Sequence, residues 1–424
     1  MPVVSGLRLK RILLALVALA FTVRLAVRLY MGEADFWVNG YSFFAELARN
    51  ITAGNGLAFD DGTPTAFRVP GYPLFLAVVG QNDFSVITLA QSLIGAGTVF
   101  CSALIARVLF GNIAALIAAS ITAVYPYYVV HDTALQETGL ATFLTVLGVL
   151  LLLRARRDLS VVMSAGAGIV LAGAILTRAN LAAFALLAPV WLLVPERLQP
   201  QPSWRNFKCA GLCAAVLTLA ITPWLIRSYS INGSPTLSGE TGYFLWLGNN
   251  AWTFSRYPVE SIDGVEDIAL PALDPIEQAQ IEALRPDARE LDRWYFVKAL
   301  RFIREHPWQT IINDARKVEA AFGLLPSPRR ALFPNLVHAL SYGSILLLGL
   351  WGMWTNRQHW REHLIFYALF ASFVVTTAVF FGHTSYRAYL DVYLIIFTAG
   401  ALVQFGPLQS RAEKQSSPNK TCPR

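Results

Sequence analysis

Long apolar runs separated by short polar segments dominate the chain. A helix needs about 20 mostly apolar residues, within a range of roughly 17–25, to cross the hydrocarbon core of a bilayer. Runs close to that length recur along the chain at about 11–30, 84–106, 112–130, 137–153, 160–177, 181–195, 209–226, 333–355, 364–382 and 386–404. The pattern therefore predicts an all-α integral membrane protein with about ten transmembrane helices.

Two segments between these runs, about 31–83 and about 227–332, are too long to be turns. Loops longer than about 15 residues are usually functional or disordered, and we expect these two to be folded. The apolar stretch 70–80 in the first loop is too short to span, and its prolines argue against a helix start, so we interpret it as re-entrant or interfacial. We predict a membrane module over 1–226 that carries the first loop, the loop region 227–332, and C-terminal helices with a tail over 333–424.

Both loops contain helical spacing. In the first loop, Gly54 is expected to end a helix whose apolar face is formed by Tyr41, Phe44, Leu47, Ala48 and Ile51. In the second loop, an apolar stripe (Leu291, Trp294, Tyr295, Phe302 and Ile303) lies opposite a basic face (Arg293, Lys298, Arg301 and Arg304). This pattern suits a helix on the membrane surface. It suits equally well a helix packed on its own domain.

Composition and charge support a membrane protein. Hydrophobic residues make up 55% of the 424 positions and charged residues only 14%, against roughly 25% charged in an average soluble domain. The net charge of +7 could suggest nucleic acid, but the basic residues concentrate in alternate short segments, as in cytoplasmic loops. We therefore expect no nucleic-acid partner and a multi-pass protein of the inner (plasma) membrane with both termini in the cytoplasm. No small-residue cleavage site follows the first run, so we expect a retained anchor.

Several kinds of site are not indicated. Cys101, Cys209 and Cys213 lie in apolar runs and Cys422 lies near the end of the chain, so no disulfide framework is expected. The sequence has no ATPase-type glycine-rich phosphate loop, no His-Glu-x-x-His motif and no paired Cys-x-x-Cys motifs. An ATP-driven pump and a zinc hydrolase are thus poorly supported. No cofactor is indicated, and a requirement for a divalent metal is left open.

Two carboxylates at the outer ends of spans are candidates for chemistry. Asp35 follows the first predicted span, and Glu137 begins a later one on the same side. Ionisable groups beside spans are costly and tend to be functional. Asp35 could serve as a general base or could cap a short helix. Glu137 is favoured at a helix N-terminus by the helix dipole alone.

Arginines on the outer side suggest an anionic substrate. Arg24 and Arg28 lie four residues apart near the outer end of the first span, and Arg68, Arg178 and Arg387 each lie beside a predicted span or the re-entrant segment. A guanidinium donates hydrogen bonds in a planar fork that suits phosphate oxygens. Snorkelling to lipid headgroups is the alternative for Arg24 and Arg28.

Several stretches taken together resemble the polytopic glycosyltransferases of the GT-C superfamily. The similarity is to bacterial relatives of the dolichyl-phosphate-mannose protein mannosyltransferases and of the aminoarabinose transferase acting on lipid A. The matching stretches are Asp35 with residues 41–51 and 54–56, Phe-Arg68-Val-Pro-Gly-Tyr72-Pro, Glu137-Thr-Gly-Leu, Leu-Thr-Arg178-Ala-Asn180, Trp246-Leu-Gly-Asn249-Asn250, residues 303–307 and Tyr386-Arg387. Two departures are Phe67, where some relatives have an acid, and the six positions between Asp35 and Tyr41.

The resemblance implies transfer of a sugar from a polyprenyl-phosphate donor to a lipid, glycan or protein acceptor at the outer membrane face. Asp35 would be the general base, with inversion at the anomeric carbon, and Glu137 would assist in positioning the acceptor. Substrate would be bound by Arg24, Arg68, Tyr72, Arg178, Asn249 and Arg387, with the arginines on the phosphate. Asn249 would contact sugar together with Trp246 and Trp252, and anchoring at the membrane interface is the alternative for these two tryptophans, favoured slightly for Trp252. Membrane lipids are the other expected partners.

Two other functions use similar parts. A transporter or flippase of lipid-linked sugars would bind phosphate through the same arginines without a base, and a polymerase of surface glycans would share the donor and the outer loops. The sequence has no evident internal repeat, which weakens the interpretation as a transporter.

Overall fold

The computed structural model describes residues 6–80, 82–195 and 201–405, and the regular structure in these ranges is helical apart from one isolated bridge between Ala58 and Pro64. The helices of the first half are α1 (Gly6–Val38), α2 (Ser42–Thr52), α3 (Gly71–Val79), α4 (Phe84–Val124), α5 (Pro126–His131), α6 (Thr138–Asp158), α7 (Val161–Thr177) and α8 (Ala182–Trp191). Those of the second half are α9 (Trp204–Asn232), α10 (Thr241–Gly248), α11 (Glu266–Ala269), α12 (Pro275–Leu284), α13 (Ala288–Glu305), α14 (Pro307–Phe322), α15 (Leu332–Thr355), α16 (Trp360–Val379) and α17 (Ala388–Phe405).

Six helices of the described chain are long and apolar enough to cross a membrane. They are Leu7–Val38, Phe84–Val124, Thr138–Asp158, Trp204–Asn232, Leu332–Thr355 and Arg357–Val379, and shorter apolar helices cover Val161–Thr177, Ala179–Trp191 and Ala388–Gln404. The predicted all-helical membrane architecture is confirmed at this level. Each of the ten apolar runs overlaps one of these nine helices, and the runs 84–106 and 112–130 both overlap Phe84–Val124, while the number of spans remains a prediction.

Helix α4 is two helices joined at Gly111. This glycine has a φ of +86°, a conformation that costs a residue without Cβ little. Ser102 Oγ and Thr122 Oγ1, about equally far on either side of Gly111, lie 3.3 Å apart, so the two halves run antiparallel. The sequence placed a break between 106 and 112, as observed.

Helix α1 also contains a break, at Gly32, where φ is +84°. The residues after Gly32 form a short helical segment that ends at Val38 and carries Asp35. Phe36 anchors this segment, since its ring is almost fully buried. The sequence ended the first span at about residue 30 and did not predict the helical segment after Gly32.

The first long loop folds against the helix bundle. Helix α2 matches the predicted amphipathic helix, with Phe44, Leu47 and Ala48 buried. The expectation that prolines prevent a helix near residue 70 is wrong, because α3 begins at Gly71 directly after Pro70. Proline is tolerated in the first turn of a helix, where its missing N–H has no partner to lose.

The second long loop forms a small core of its own. Tyr295 of α13 is buried, and its ring centroid lies 5.0 Å from that of Trp246 on α10. Leu291 and Trp294 pack against the same cluster. Of the two interpretations of the amphipathic helix, packing on its own domain is therefore the one that the structure supports for this face.

Some predicted features lie outside the described residues. These are the chain termini at 1–5 and 406–424, which include the tail and Cys422, and the segment 196–200 between α8 and α9. The predicted division of the chain at 226 and 333 stays a prediction.

Candidate active site

A cavity of about 410 Å³ lies at the end of the helix bundle where both long loops meet. Its walls come from the first loop, the start of α6, the end of α7, the end of α16 and the turn before α17. The second loop covers it. Ser238 Oγ donates a hydrogen bond to the Phe67 carbonyl (2.9 Å), and Gly239 N–H donates to the Ala66 carbonyl (2.9 Å).

An ion pair forms one wall of this cavity. Arg178 Nη2 lies 2.7 Å from Glu137 Oε1, and Arg178 Nη1 donates to the Ser385 carbonyl at 2.9 Å. Burial raises the pKa of Glu137, but the Arg178 guanidinium outweighs burial and the net pKa is lowered. The pair thus holds a charged carboxylate at the N-terminus of α6, where the helix dipole favours it.

Arg68 supplies a second cation to the cavity. Its guanidinium lies between two aromatic rings, 4.9 Å from the centroid of Phe67 and 4.7 Å from that of Phe244. No described carboxylate forms an ion pair with it. Cation–π contacts hold a guanidinium in place without neutralising its charge, so Arg68 can bind an anion that enters the cavity.

Asp35 does not line the cavity. Its Oδ2 lies 2.8 Å from Arg28 Nη1, and its Oδ1 accepts a hydrogen bond from Asn39 Nδ2 at 2.7 Å. The side chain is 27% exposed. The following Tyr41 does line the cavity, and its N–H donates to the Leu135 carbonyl, two residues before Glu137. Asp35 thus lies on the segment that leads to the cavity rim.

Two of the predicted phosphate-binding arginines form ion pairs and hydrogen bonds with buried groups of the protein. Arg24 is fully buried, lies 2.8 Å from Asp132 Oδ2, and donates to backbone carbonyls. Arg387 is also buried, pairs with Asp391, and donates to the Ala321 carbonyl at 2.8 Å. Neither lines the cavity, although Tyr386 beside Arg387 does.

Asn249 and Tyr72 are likewise not among the lining residues. The Asn249 amide donates to the carbonyls of Leu245 (2.8 Å) and Val379 (2.9 Å), and its oxygen accepts from Lys317 Nζ at 3.3 Å. The Tyr72 ring is buried against Phe44. The cavity therefore brings together Arg68, Glu137 and Arg178 from the predicted set and leaves out Asp35, Arg24, Tyr72, Asn249 and Arg387.

Two acids of the second loop were missed by the sequence. Asp263 lines the cavity from the 3₁₀ turn Ile262–Val265. Glu240 lies directly before α10 (Thr241–Gly248), and burial raises its pKa to about 7, with Arg68 opposing the shift and Asp292 and Glu266 adding to it. Charged residues are common in any polar loop, so only the folded arrangement distinguishes these two.

The described residues contain no group of three or more His, Cys, Asp or Glu side chains placed to hold a metal ion.

Comparison with known proteins finds a family model that matches part of the chain and solved structures with a similar fold. Residues 72–226 match the family model described as dolichyl-phosphate-mannose-protein mannosyltransferase. This match confirms the resemblance to the GT-C glycosyltransferases that the sequence showed. Among curated proteins, no match to the chain is found.

Two solved structures of the oligosaccharyltransferase from Archaeoglobus fulgidus are similar in fold. The one tethered to an acceptor peptide with the NVT sequon has a TM-score of 0.55 at 14% identity, and the complex with Zn and sulfate has a TM-score of 0.53 at 16% identity. Each match covers 95% of this chain and 50% of the other. The chain thus spans about half the length of the archaeal enzyme.

Proposed function

We propose that the protein transfers a sugar from a polyprenyl-phosphate donor to an acceptor hydroxyl or amine at the outer face of the plasma membrane. The observation that carries the proposal is the uncompensated Arg68 cation beside the Glu137–Arg178 pair, in a cavity at one end of a bundle of apolar helices. The family match supports a lipid-phosphate donor. We also propose that the chain crosses the membrane about ten times and has both termini in the cytoplasm.

The chemistry requires cations more than acids. A phosphate is already a good leaving group, so no acid has to protonate it, but negative charge grows on it as the bond to the anomeric carbon breaks. Preorganised donors at that position stabilise the transition state. We assign this role to Arg68 and Arg178, because both line the cavity and Arg24 and Arg387 do not.

The acceptor needs a base, and we assign Asp35 to this role with Glu137 positioning the acceptor. Arg28 and Asn39 bind both oxygens of Asp35 and so orient a partly exposed carboxylate near the rim. Glu137 is tied to Arg178, which suits a fixed hydrogen-bond acceptor better than a proton carrier. Attack from the side opposite the phosphate would invert the anomeric carbon.

The first test uses purified protein in liposomes with a pool of polyprenyl-phosphate sugars and mass spectrometry of released polyprenyl phosphate. We expect wild type to consume donor and Asp35→Asn to lose turnover while donor binding persists. Asp61→Asn, a change of an exposed acid on the same loop, should behave as wild type.

Other outcomes would change the assignment. Equal turnover in wild type and Asp35→Asn, with loss in Glu137→Gln, would move the base to Glu137. If intact donor moved between leaflets and none were consumed, the protein would be a flippase and the proposed reaction would be wrong.

A further inference from the structure

The sugar contacts expected in the second loop are not available where the sequence placed them. Asn249 uses its amide within the protein, and Trp246 is buried in the small core of the loop. Neither lines the cavity, and neither does Trp252. A sugar in the cavity would meet different residues of the same loop.

Asp263 is the residue of the second loop that presents an unused carboxylate to the cavity. Its Oδ1 is buried and has no hydrogen-bond partner, and no described cation forms an ion pair with it. Buried polar atoms are nearly always hydrogen-bonded in folded proteins. An oxygen left unpaired in a cavity wall is therefore positioned for a donor group on a ligand.

Two tyrosines share this part of the cavity with Asp263. Tyr41 comes from the first loop and Tyr386 from the turn before α17. Burial raises the pKa of Tyr386, and the charge of Asp263 is the next largest cause. For Tyr41, burial and Glu137 precede Asp263 as causes of a pKa of about 12. Both phenols thus lie close enough to Asp263 to be influenced by its charge.

This arrangement matches the chemistry of a sugar. Neutral sugars offer several hydroxyl donors, which form strong charge-assisted hydrogen bonds to a carboxylate, and C–H faces that pack on aromatic rings. A phosphate, by contrast, would be repelled by Asp263. Asp263 and Arg68 line one cavity without pairing with each other, so one ligand with an anionic and a hydroxyl-rich part can contact both.

We propose that Asp263, with Tyr41 and Tyr386, forms the subsite for the donor sugar and determines affinity for it, while Arg68 binds the phosphate. The proposal rests on the proposed function, because it places the sugar of the same donor. Glu137 and Arg178 line the same cavity, and we place the breaking bond to phosphate beside this pair.

The test compares lipids with and without sugar. The probes are farnesyl phosphate and its mannosyl, glucosyl and N-acetylglucosaminyl esters, and binding to the full chain in detergent is measured by isothermal titration. We expect wild type to bind at least one sugar-bearing lipid more tightly than farnesyl phosphate. Asp263→Asn should weaken the binding of that lipid by on the order of tenfold, the effect of one charge-assisted hydrogen bond. The binding of farnesyl phosphate should be unchanged.

Two control variants separate the possible failures. Arg68→Gln should weaken the binding of all four lipids. Asp267 is an exposed acid four residues from Asp263, and Asp267→Asn should weaken the binding of none of them. If wild type binds no sugar-bearing lipid better than farnesyl phosphate, or if Asp263→Asn leaves the difference intact, the subsite is overturned while the proposed function stands. If wild type binds none of the four lipids, the proposed function itself fails.

Discussion

Arg68 and Glu240 form a pair of charges whose balance depends on pH. Glu240 has one buried carboxylate oxygen without a hydrogen-bond partner, and burial raises its pKa to about 7 despite the attraction of Arg68. Below that pH, Glu240 is neutral and the charge of Arg68 is available to an anion. Above it, the carboxylate competes for Arg68.

We predict that donor binding weakens as pH rises through about 7. Farnesyl phosphate mannose is suitable because a phosphodiester keeps one negative charge over this range. Its dissociation constant for wild type should rise several-fold between about pH 6 and 8, the scale expected for an added charge at partly exposed sites. Glu240→Gln should remove this step, and Glu282→Gln, an exposed acid of the same loop, should keep it. An unchanged step in Glu240→Gln would show that another group titrates.

For single residues, the sequence indicated which charged side chains lie beside apolar segments, but it did not show which groups they contact in the fold. Arg68 and Arg24 look alike in the sequence, as arginines beside apolar segments. They differ because Asp132, 108 positions after Arg24, forms an ion pair with it in the fold, whereas Arg68 lies between two aromatic rings and no described carboxylate forms an ion pair with it. Asp263 could not be selected from the sequence because its unpaired oxygen is a property of the folded loop.

At the scale of elements, the cavity depends on how α10 contacts the end of α16. Gly248, the last residue of α10, lies against the backbone of Phe380, and a Cβ added there would be 1.7 Å from the Phe380 carbonyl oxygen. Phe380 and Phe381 both line the cavity. A side chain at 248 would have to push α10, and the loop that covers the cavity, away from the bundle.

We therefore predict that Gly248→Ala destabilises the protein by about 1–3 kcal/mol, the range for overpacking, and lowers donor turnover. Gly211→Ala is the matched control, because a Cβ at this helical position meets nothing within 4 Å. Thermal unfolding in detergent and the liposome assay measure the two effects. Equal stability of both variants would contradict the close contact between α10 and α16.

Apolar patterning was sufficient to locate most helices because each needs a continuous apolar surface. It ended the first span at about residue 30 and did not reveal the helical segment after Gly32, because residues 33–38 do not continue the apolar run. It also overestimated the effect of Pro70 and Pro73 on α3, whose first turn accommodates proline. Such errors arise where one backbone conformation, and not a pattern, decides the structure.

For the whole molecule, the pattern could not show which helix lies in the centre. Helix α17 is buried from Ala388 to Ala401 and contacts α4, α6 and α15, yet its sequence is only slightly more apolar than those of α4 and α15. A helix facing lipid and a helix facing protein can have the same composition, so the packing order requires the structure. The meeting of both long loops over one cavity likewise depends on packing and could not be predicted from the apolar pattern.

Whether Arg68 stabilises the departing phosphate is tested most directly by the rate of polyprenyl phosphate release. The rate is measured for wild type, Arg68→Gln and Arg49→Gln in liposomes saturated with donor. Arg49 is an exposed arginine of the same loop, paired with Asp60, and its replacement should leave the rate unchanged. Loss of a preorganised cation at the leaving phosphate should slow Arg68→Gln by about 10²–10³. If Arg68→Gln released polyprenyl phosphate as fast as wild type, phosphate departure would not occur at this cavity, and its assignment as the active site would be wrong.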